Sequence, residues 1–280
     1  MEKILVTTDL SAKSKSAIQF AITMAKSRKA ELIILHVYHL TRPFKWTDEE
    51  YNEYWQRFKN RTMRKLTAFT AELFGTAGPG VPCQMVLHSN IDVVDGIMEY
   101  ADKHDCAYIC ISTRGAGRLK KLFGTHTSKL ISHSAVPVLA VPSFYHLLEL
   151  KHILYATDMM DYERELEKVV AFARPIGADI DMIHIAYPHE FQPTEQIITD
   201  FVEKKLNYHV NIIERERNIT HTLLEDLDAA VKANKPSLLA LFTHQSKRLL
   251  DKLLLPSNAK VYSFYSKVPL LTFSKTESNK

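Results

Sequence analysis

Residues 4–8 form a short, uninterrupted apolar run that ends on Asp9, and an equivalent run at residues 153–157 ends on Asp158. Runs of this length without polar alternation predict strands buried on both faces. After Asp9, Ser11 stands at the N-cap of a predicted helix whose apolar residues Ala17, Ile18, Ala21, Ile22, Met24 and Ala25 recur at helical spacing. Leu166, Val169, Val170, Ala171 and Ala173 draw the same stripe in the second half. Further strands are predicted at residues 32–37, 107–112 and 138–141, with helices at 92–104 and 125–134. The second half answers with strands at 180–185, 237–242 and 270–273, and helices at 223–233 and 258–266.

The correspondence extends to residue types. Ile4-Leu5-Val6-Thr7-Thr8-Asp9 matches Ile153-Leu154-Tyr155-Ala156-Thr157-Asp158, and Leu35-His36-Val37 matches Ile183-His184-Ile185. Val136-Pro137-Val138-Leu139 matches Val268-Pro269-Leu270-Leu271. Order is preserved while the spacing between matched segments shrinks, as expected of a tandem duplication with shorter loops in the second copy. Alternating buried strands and amphipathic helices predict an α/β protein with parallel sheets, right-handed crossovers and helices on both faces. The join falls near residues 142–150, giving domains at residues 1–143 and 150–276.

Residues 47–73 stand apart. Tyr51, Tyr54, Trp55, Phe58, Met63, Leu66 and Phe69 recur between charged residues, predicting one long amphipathic helix whose aromatic stripe faces the core. Arg57, Lys59, Arg61, Arg64 and Lys65 beside that stripe suit base stacking, but no RNA-binding signature accompanies them.

Composition narrows the class without naming a function. Hydrophobic residues make up 46% and charged residues 24% of 280, ordinary values for a globular protein, and a net charge of +4 is too weak to argue for nucleic acid or an anionic membrane. The three cysteines, Cys83, Cys106 and Cys110, match no disulfide framework or zinc knuckle, and the first residues lack the pattern of a signal peptide. A reducing cytoplasm is the expected setting, with no apolar run long enough to span a bilayer. The 13 histidines show no metal-ligand spacing, and His36 and His184, at equivalent strand positions, read as hydrogen-bonded residues near the core.

In an open parallel sheet, ligands bind beyond the C-terminal strand ends where strand order reverses. Asp9 and the segment Ser112-Thr113-Arg114-Gly115-Ala116-Gly117-Arg118 fall there in the first half. Gly124 and Thr125 then open a helix whose unpaired N–H groups and positive dipole end suit a phosphate. Gly115, Gly117 and Gly124 allow close approach to the backbone, Thr125 and Thr127 add hydroxyl donors, and Arg114 adds positive charge. The loop is neither a Walker A loop nor a dinucleotide fingerprint.

These residues, with the ending Val136-Pro137-Val138-Leu139-Ala140-Val141, resemble the universal stress protein family, and the resemblance covers nearly the whole chain as a tandem pair. Members with a nucleotide-binding loop carry Gly, two residues, Gly, nine residues, then Gly and Ser or Thr. Here Ser112 replaces the first glycine and eight residues separate Gly115 from Gly124. The resemblance implies two Rossmann-like domains of the adenine nucleotide α-hydrolase-like type, each an open parallel five-stranded sheet flanked by helices. It implies ATP or a related adenine nucleotide, with or without magnesium, as ligand of the first domain. Asp9 and Val37 would meet the adenosine portion, Ser112 and Gly115 the ribose and phosphates, and Gly124, Thr125 and Thr127 the phosphates. An Asp at that position equally suits a cap for the following helix.

The second copy carries Thr243-His244-Gln245 and Leu254-Leu255-Pro256-Ser257 where the first has its glycine loop, so no nucleotide is expected there. Family dimers pair through their final strands, which implies residues 138–141 beside 270–273 in an intramolecular pseudo-dimer, with homodimers of the tandem as a further option. No nucleophile, base and orienting acid form a catalytic set, leaving at most slow ATP hydrolysis. The expected function is a cytoplasmic stress-response regulator or sensor that binds nucleotide in its first domain. The alternatives are a nucleotide-independent scaffold and a binder of a small apolar ligand at the leucines of residues 249–255.

Overall fold

The computed structural model describes residues 1–76, 78–113, 125–146, 149–186, 195–218, 220–243 and 268–274. The first half runs β1 (Lys3–Thr7), α1 (Lys15–Arg28), β2 (Glu31–Tyr38), α2 (Asp48–Phe74), β3 (Cys83–Ser89), α3 (Val93–Lys103), β4 (Tyr108–Thr113), α4 (Thr125–His133) and β5 (Val138–Pro142). The second half runs β6 (His152–Thr157), α5 (Tyr162–Ala173), β7 (Asp179–Ala186), α6 (Glu195–Phe201), β8 (Val210–Glu216), α7 (Leu223–Asn234), β9 (Leu238–Phe242) and β10 (Leu270–Phe273). The predicted helix at residues 258–266 lies outside the described residues.

The ten strands of the described residues join one sheet in the order β3-β2-β1-β4-β5-β10-β9-β6-β7-β8. Each half is parallel throughout and has its strand order reversal between β1 and β4, or β6 and β9. The halves meet antiparallel at β5 and β10, with Leu270 opposite Ala140, Leu271 opposite Leu139 and Thr272 opposite Val138. Pairing there turns what would be two exposed edges into the centre of the sheet, where both strands are buried.

One face of the sheet carries α1 and α5, whose Phe20, Met24, Leu166 and Phe172 pack on Ile4, Val6, Ile153 and Tyr155. The other carries α3, α4 and α7, through Val94, Ile97, Leu130, Ile131, Leu224 and Leu227. Arg28, the last residue of α1, ties the halves together on the first face. Its guanidinium grips Glu2 at 2.6 and 2.7 Å and donates at 2.6 Å to the carbonyl of Phe172 in α5.

Helix α2 starts at a capping box: Glu50 N–H donates to the Thr47 hydroxyl at 3.2 Å, and Thr47 N–H to the Glu50 carboxylate at 2.8 Å. The stripe on α2 departs from expectation, because Thr62, Leu66 and Thr70 are its buried residues while the aromatics of its first half stay outside the core. They pack instead on the tip of β2 and the loop before the helix. Trp46 meets Tyr54 with centroids 5.0 Å apart, Phe58 meets Tyr38 at 5.1 Å, and Trp55 Nε1 donates to the Tyr38 hydroxyl at 3.1 Å. At the margin of the sheet, ring-on-ring contact replaces core burial.

Candidate functional site

The chain leaves β1 through a turn built by its own side chains. Leu10 N–H donates to the Thr8 hydroxyl at 2.9 Å and Ser11 N–H to the Asp9 carboxylate at 3.0 Å, while Leu10 takes a left-handed φ of 62°. This is an Asx turn, so Asp9 spends one carboxylate oxygen on the backbone. Ser11 occupies the cap position expected of it, with extended backbone, but its hydroxyl makes no capping bond, and its buried Oγ has no hydrogen-bond partner among the described residues. The chain enters α1 through a 3-10 turn, where the Ser14 hydroxyl meets that of Thr8 at 2.7 Å. That short first turn replaces the expected cap.

Two other strand tips complete the floor. His36 of β2 donates from Nδ1 to the Thr8 carbonyl at 2.8 Å; the carbonyl can only accept, so Nδ1 carries the proton. Ser112 of β4 donates to the Lys13 carbonyl at 2.6 Å and lies 3.3 Å from the hydroxyl of Ser143, which itself donates to the Thr113 carbonyl. These bonds pin β4 to the β1–α1 turn and leave a row of hydroxyls along the ends of the strands.

Above that floor opens a cavity of about 210 Å³. Its polar wall includes Asp9, Ser11, Lys13, His36 and Ser112, its apolar wall Val37, Val93, Ile97 and Ile111, and its far end the first turn of α4 with Thr125, His126 and Thr127. Five of the residues singled out from the sequence, Asp9, Val37, Ser112, Thr125 and Thr127, thus line one space. Arg114, Gly115, Gly117 and Gly124 lie outside the described residues. The sequence reading missed Ser11, Lys13 and His126 as lining residues and placed His36 only near the core. Position one residue before Val37, at the tip of a strand, was the available signal for His36.

Two contacts fix the far walls. Lys129 bridges α4 to α3 through Asp92 at 3.1 Å and Asp95 at 2.8 Å. Asp92 also caps α3 by accepting from Val94 and Asp95 N–H, and these bonds, led by that from Asp95 and followed by Lys129, hold its carboxyl below the ordinary value. Lys129 is correspondingly pushed up, by its hydrogen bonds to Asp95 and then Asp92. Within α3, Gly96 sits where a Cβ would come within 2.7 Å of the Asn90 Cβ and 3.0 Å of the Val37 Cγ1. Only glycine lets α3 approach the apolar wall this closely.

The second half reproduces the turn without the same lining. Met159 N–H donates to the Thr157 hydroxyl at 3.0 Å, Met160 N–H to Asp158 at 3.1 Å, and His184 meets the Thr157 carbonyl at 3.0 Å. Met160, 82% exposed, stands in the place of Ser11. Phe242 stands in the place of Ser112 and stacks on Phe273 with centroids 4.8 Å apart. The segment at residues 244–257 that answers to the glycine loop, including the leucines proposed for an apolar ligand, lies outside the described residues. Burial pushes the thiols of Cys83 and Cys106 up to about 11, and that of Cys110 higher still.

Comparison with known proteins agrees with this architecture. A universal stress protein from Archaeoglobus fulgidus DSM 4304 superposes with a TM-score of 0.66 at 18% identity, covering 99% of this chain and 97% of that one. A functionally unknown protein from Pseudomonas aeruginosa PAO1 gives 0.55 at 14% identity, over 98% of this chain and 92% of its own. A universal stress protein from Archaeoglobus fulgidus, solved in complex with dAMP, is 20% identical over 50% of this chain and 98% of its own, with a TM-score of 0.36. No curated protein matches. The model of the universal stress protein family matches residues 1–142, slightly more than half of the sequence, and the chain belongs to that family.

Proposed function

We propose that the protein binds an adenine nucleotide, ATP or a close relative, in its first half, and that the bound nucleotide sets its shape or its partners in a cytoplasmic stress response. The observation that carries this reading is the cavity itself. It lies beyond the C-terminal ends of β1, β2 and β4, and it pairs an apolar slot of Val37, Val93, Ile97 and Ile111 with the N-terminal turn of α4. A flat base suits the slot, and a phosphate suits the N–H groups and hydroxyls of the turn. Of the described lining residues only Asp9 is a carboxylate, so a magnesium ion would ride on the phosphates rather than on a protein cage. Ligand control rather than turnover is the role proposed.

The two domains of this reading are residues 1–143 and 150–276, held as an intramolecular pseudo-dimer by β5 against β10. Three unpaired thiols accord with a reducing compartment. Calorimetric titration with ATP, combined with native mass spectrometry of the purified protein, tests the reading. Wild type should bind, and Thr125→Asp should lose at least about tenfold, because a carboxylate at the helix start suits the helix but repels a phosphate. Equal heats for the two proteins would refute it.

A further inference from the structure

We propose that His36 is a specificity-determining residue that accepts a hydrogen bond from a sugar hydroxyl of the nucleotide, an inference that rests on the nucleotide reading above. Its Nδ1 proton is committed to the Thr8 carbonyl at 2.8 Å, which fixes the tautomer. In the neutral ring Nε2 then has a lone pair and no proton, on a half-buried residue that lines the cavity. The equivalent His184 makes the same bond to Thr157, at 3.0 Å, but is only 4% exposed. The carbonyl bond therefore belongs to the repeated scaffold. His36, less deeply buried than His184, lines the cavity described above.

Strand geometry says which part of the ligand it reads. Successive residues of β2 face opposite sides of the sheet, so Val37 packs toward Val93 and Ile97 on the α3 face while His36 turns to the other side. With a base in the apolar slot and a phosphate at α4, the sugar between them would cross the strand tips, where the cavity wall passes from Val37 to His36, Ser14 and Lys13. Asp9 and His36 stand there, both acceptors, and a sugar hydroxyl is the ligand's donor. A site built to bond a hydroxyl discriminates against the analogue lacking it, because its own acceptor is left unmet.

The two roles of the ring separate by substitution. His36→Asn keeps a donor at the Nδ1 position and removes Nε2, whereas His36→Gln puts an amide oxygen near Nε2 and removes the scaffold bond. The measurements are dissociation constants for ATP, 2′-deoxy-ATP and 3′-deoxy-ATP, with melting temperature as the folding control. Wild type should bind at least one deoxy analogue about tenfold more weakly than ATP, the worth of one good hydrogen bond. His36→Asn should lose that preference at unchanged melting temperature, and His36→Gln should keep the preference while melting earlier. A wild type indifferent to the deoxy analogues, or a His36→Asn protein with the wild-type ratio, overturns this inference and leaves the nucleotide reading standing. A wild type that binds none of the three overturns both.

Discussion

Replacing Arg28 by alanine should weaken the whole chain, because this side chain is the charged brace between the halves. It is 4% exposed and Glu2 28% exposed. The guanidinium lies 5.0 Å from the Tyr108 ring and 5.3 Å from that of Phe172, and its Nη1 caps the Phe172 carbonyl. Burial pulls the Arg28 pKa down, but the hydrogen bond to Glu2 and the electrostatic pull of the Tyr108 hydroxyl and the Glu2 carboxylate outweigh it, so the group stays charged at every pH of interest. Removing one member of a buried pair costs ~3–5 kcal/mol, chiefly by stranding the other charge. Glu2 keeps some water, which favours the lower end, while losing the bond to the Phe172 carbonyl adds ~1–2 kcal/mol in the other direction. A loss of ~4–5 kcal/mol should lower the melting temperature by about 7–9 °C for a chain of 280 residues. Urea and thermal melts of wild type, Arg28→Ala, Glu2→Gln and the double variant measure it. The double variant should be less destabilised than the sum of the singles, because each single change strands the other's partner. A single-variant loss under about 1 kcal/mol, or strict additivity, would refute the brace.

Gly96→Ala should destabilise the protein by ~1–3 kcal/mol despite alanine's better helix propensity, because the added methyl meets Asn90 and Val37; it should also weaken ATP titration, and a stabilised variant would contradict the packing argument. Gly177→Ala meets no atom within 4 Å but holds φ at +63°, so it should cost about 1 kcal/mol from backbone strain alone. For Lys129→Met the stability difference from wild type should be constant across neutral pH. Asp92 is depressed from 3.8, so its contribution is present above that value and lost as pH falls through its lower folded pKa. Lys129 is raised from 10.5, so its contribution is full below that value and lost as pH rises through its higher folded pKa; a difference that persisted at the acid end would count against the clamp. Thiol reagents at about pH 8 should label the native protein slowly and the urea-unfolded protein at the rate of an ordinary cysteine, and fast native labelling would contradict the raised thiols.

Much of this architecture is legible in the sequence because buried parallel strands leave continuous apolar runs. Residues 4–8, 32–37, 138–141 and 270–273 all mark strands of the sheet. The edge strands β3 and β8 were not legible, for a physical reason. Each has one neighbour and half-exposed faces, so Cys83–Ser89 and Val210–Glu216 mix polar and apolar residues like any loop. Asp9, Ser112, Thr125 and Thr127 could be set at strand tips and a helix start from the pattern of the chain, whereas Val37 was named through the family resemblance; all five line the cavity. The hydroxyl of Ser11 was not legible, since the residue type favours a cap and nothing local reveals that a 3-10 turn would take the cap's place. Nor was the aromatic stripe of α2, whose periodicity is identical whether the rings meet a core or one another.

What separates scaffold from site is which features both halves keep. Left-handed backbone recurs at matched positions, Leu10 with Met159, Lys29 with Gly177 and Asp105 with Lys235, although the residue types differ. Each αL conformation at a residue other than glycine is unfavourable, so its recurrence on different side chains shows that the chain path demands it. The histidine-to-carbonyl bond recurs in the same way. The hydroxyls do not. Ser16 and Ser112, 3.5 Å apart under the first cavity, answer to Glu165 and Phe242, both at 2% exposure. A carboxylate bonded to Tyr155 and a ring stacked on Phe273 occupy the space that two serines leave open. Small polar side chains lie beneath the strand tips where the first half's cavity opens, and larger buried ones hold the equivalent positions of the second half. That exchange is the difference expected if the proposed nucleotide site belongs to the first half alone, on strand tips whose turns both halves share.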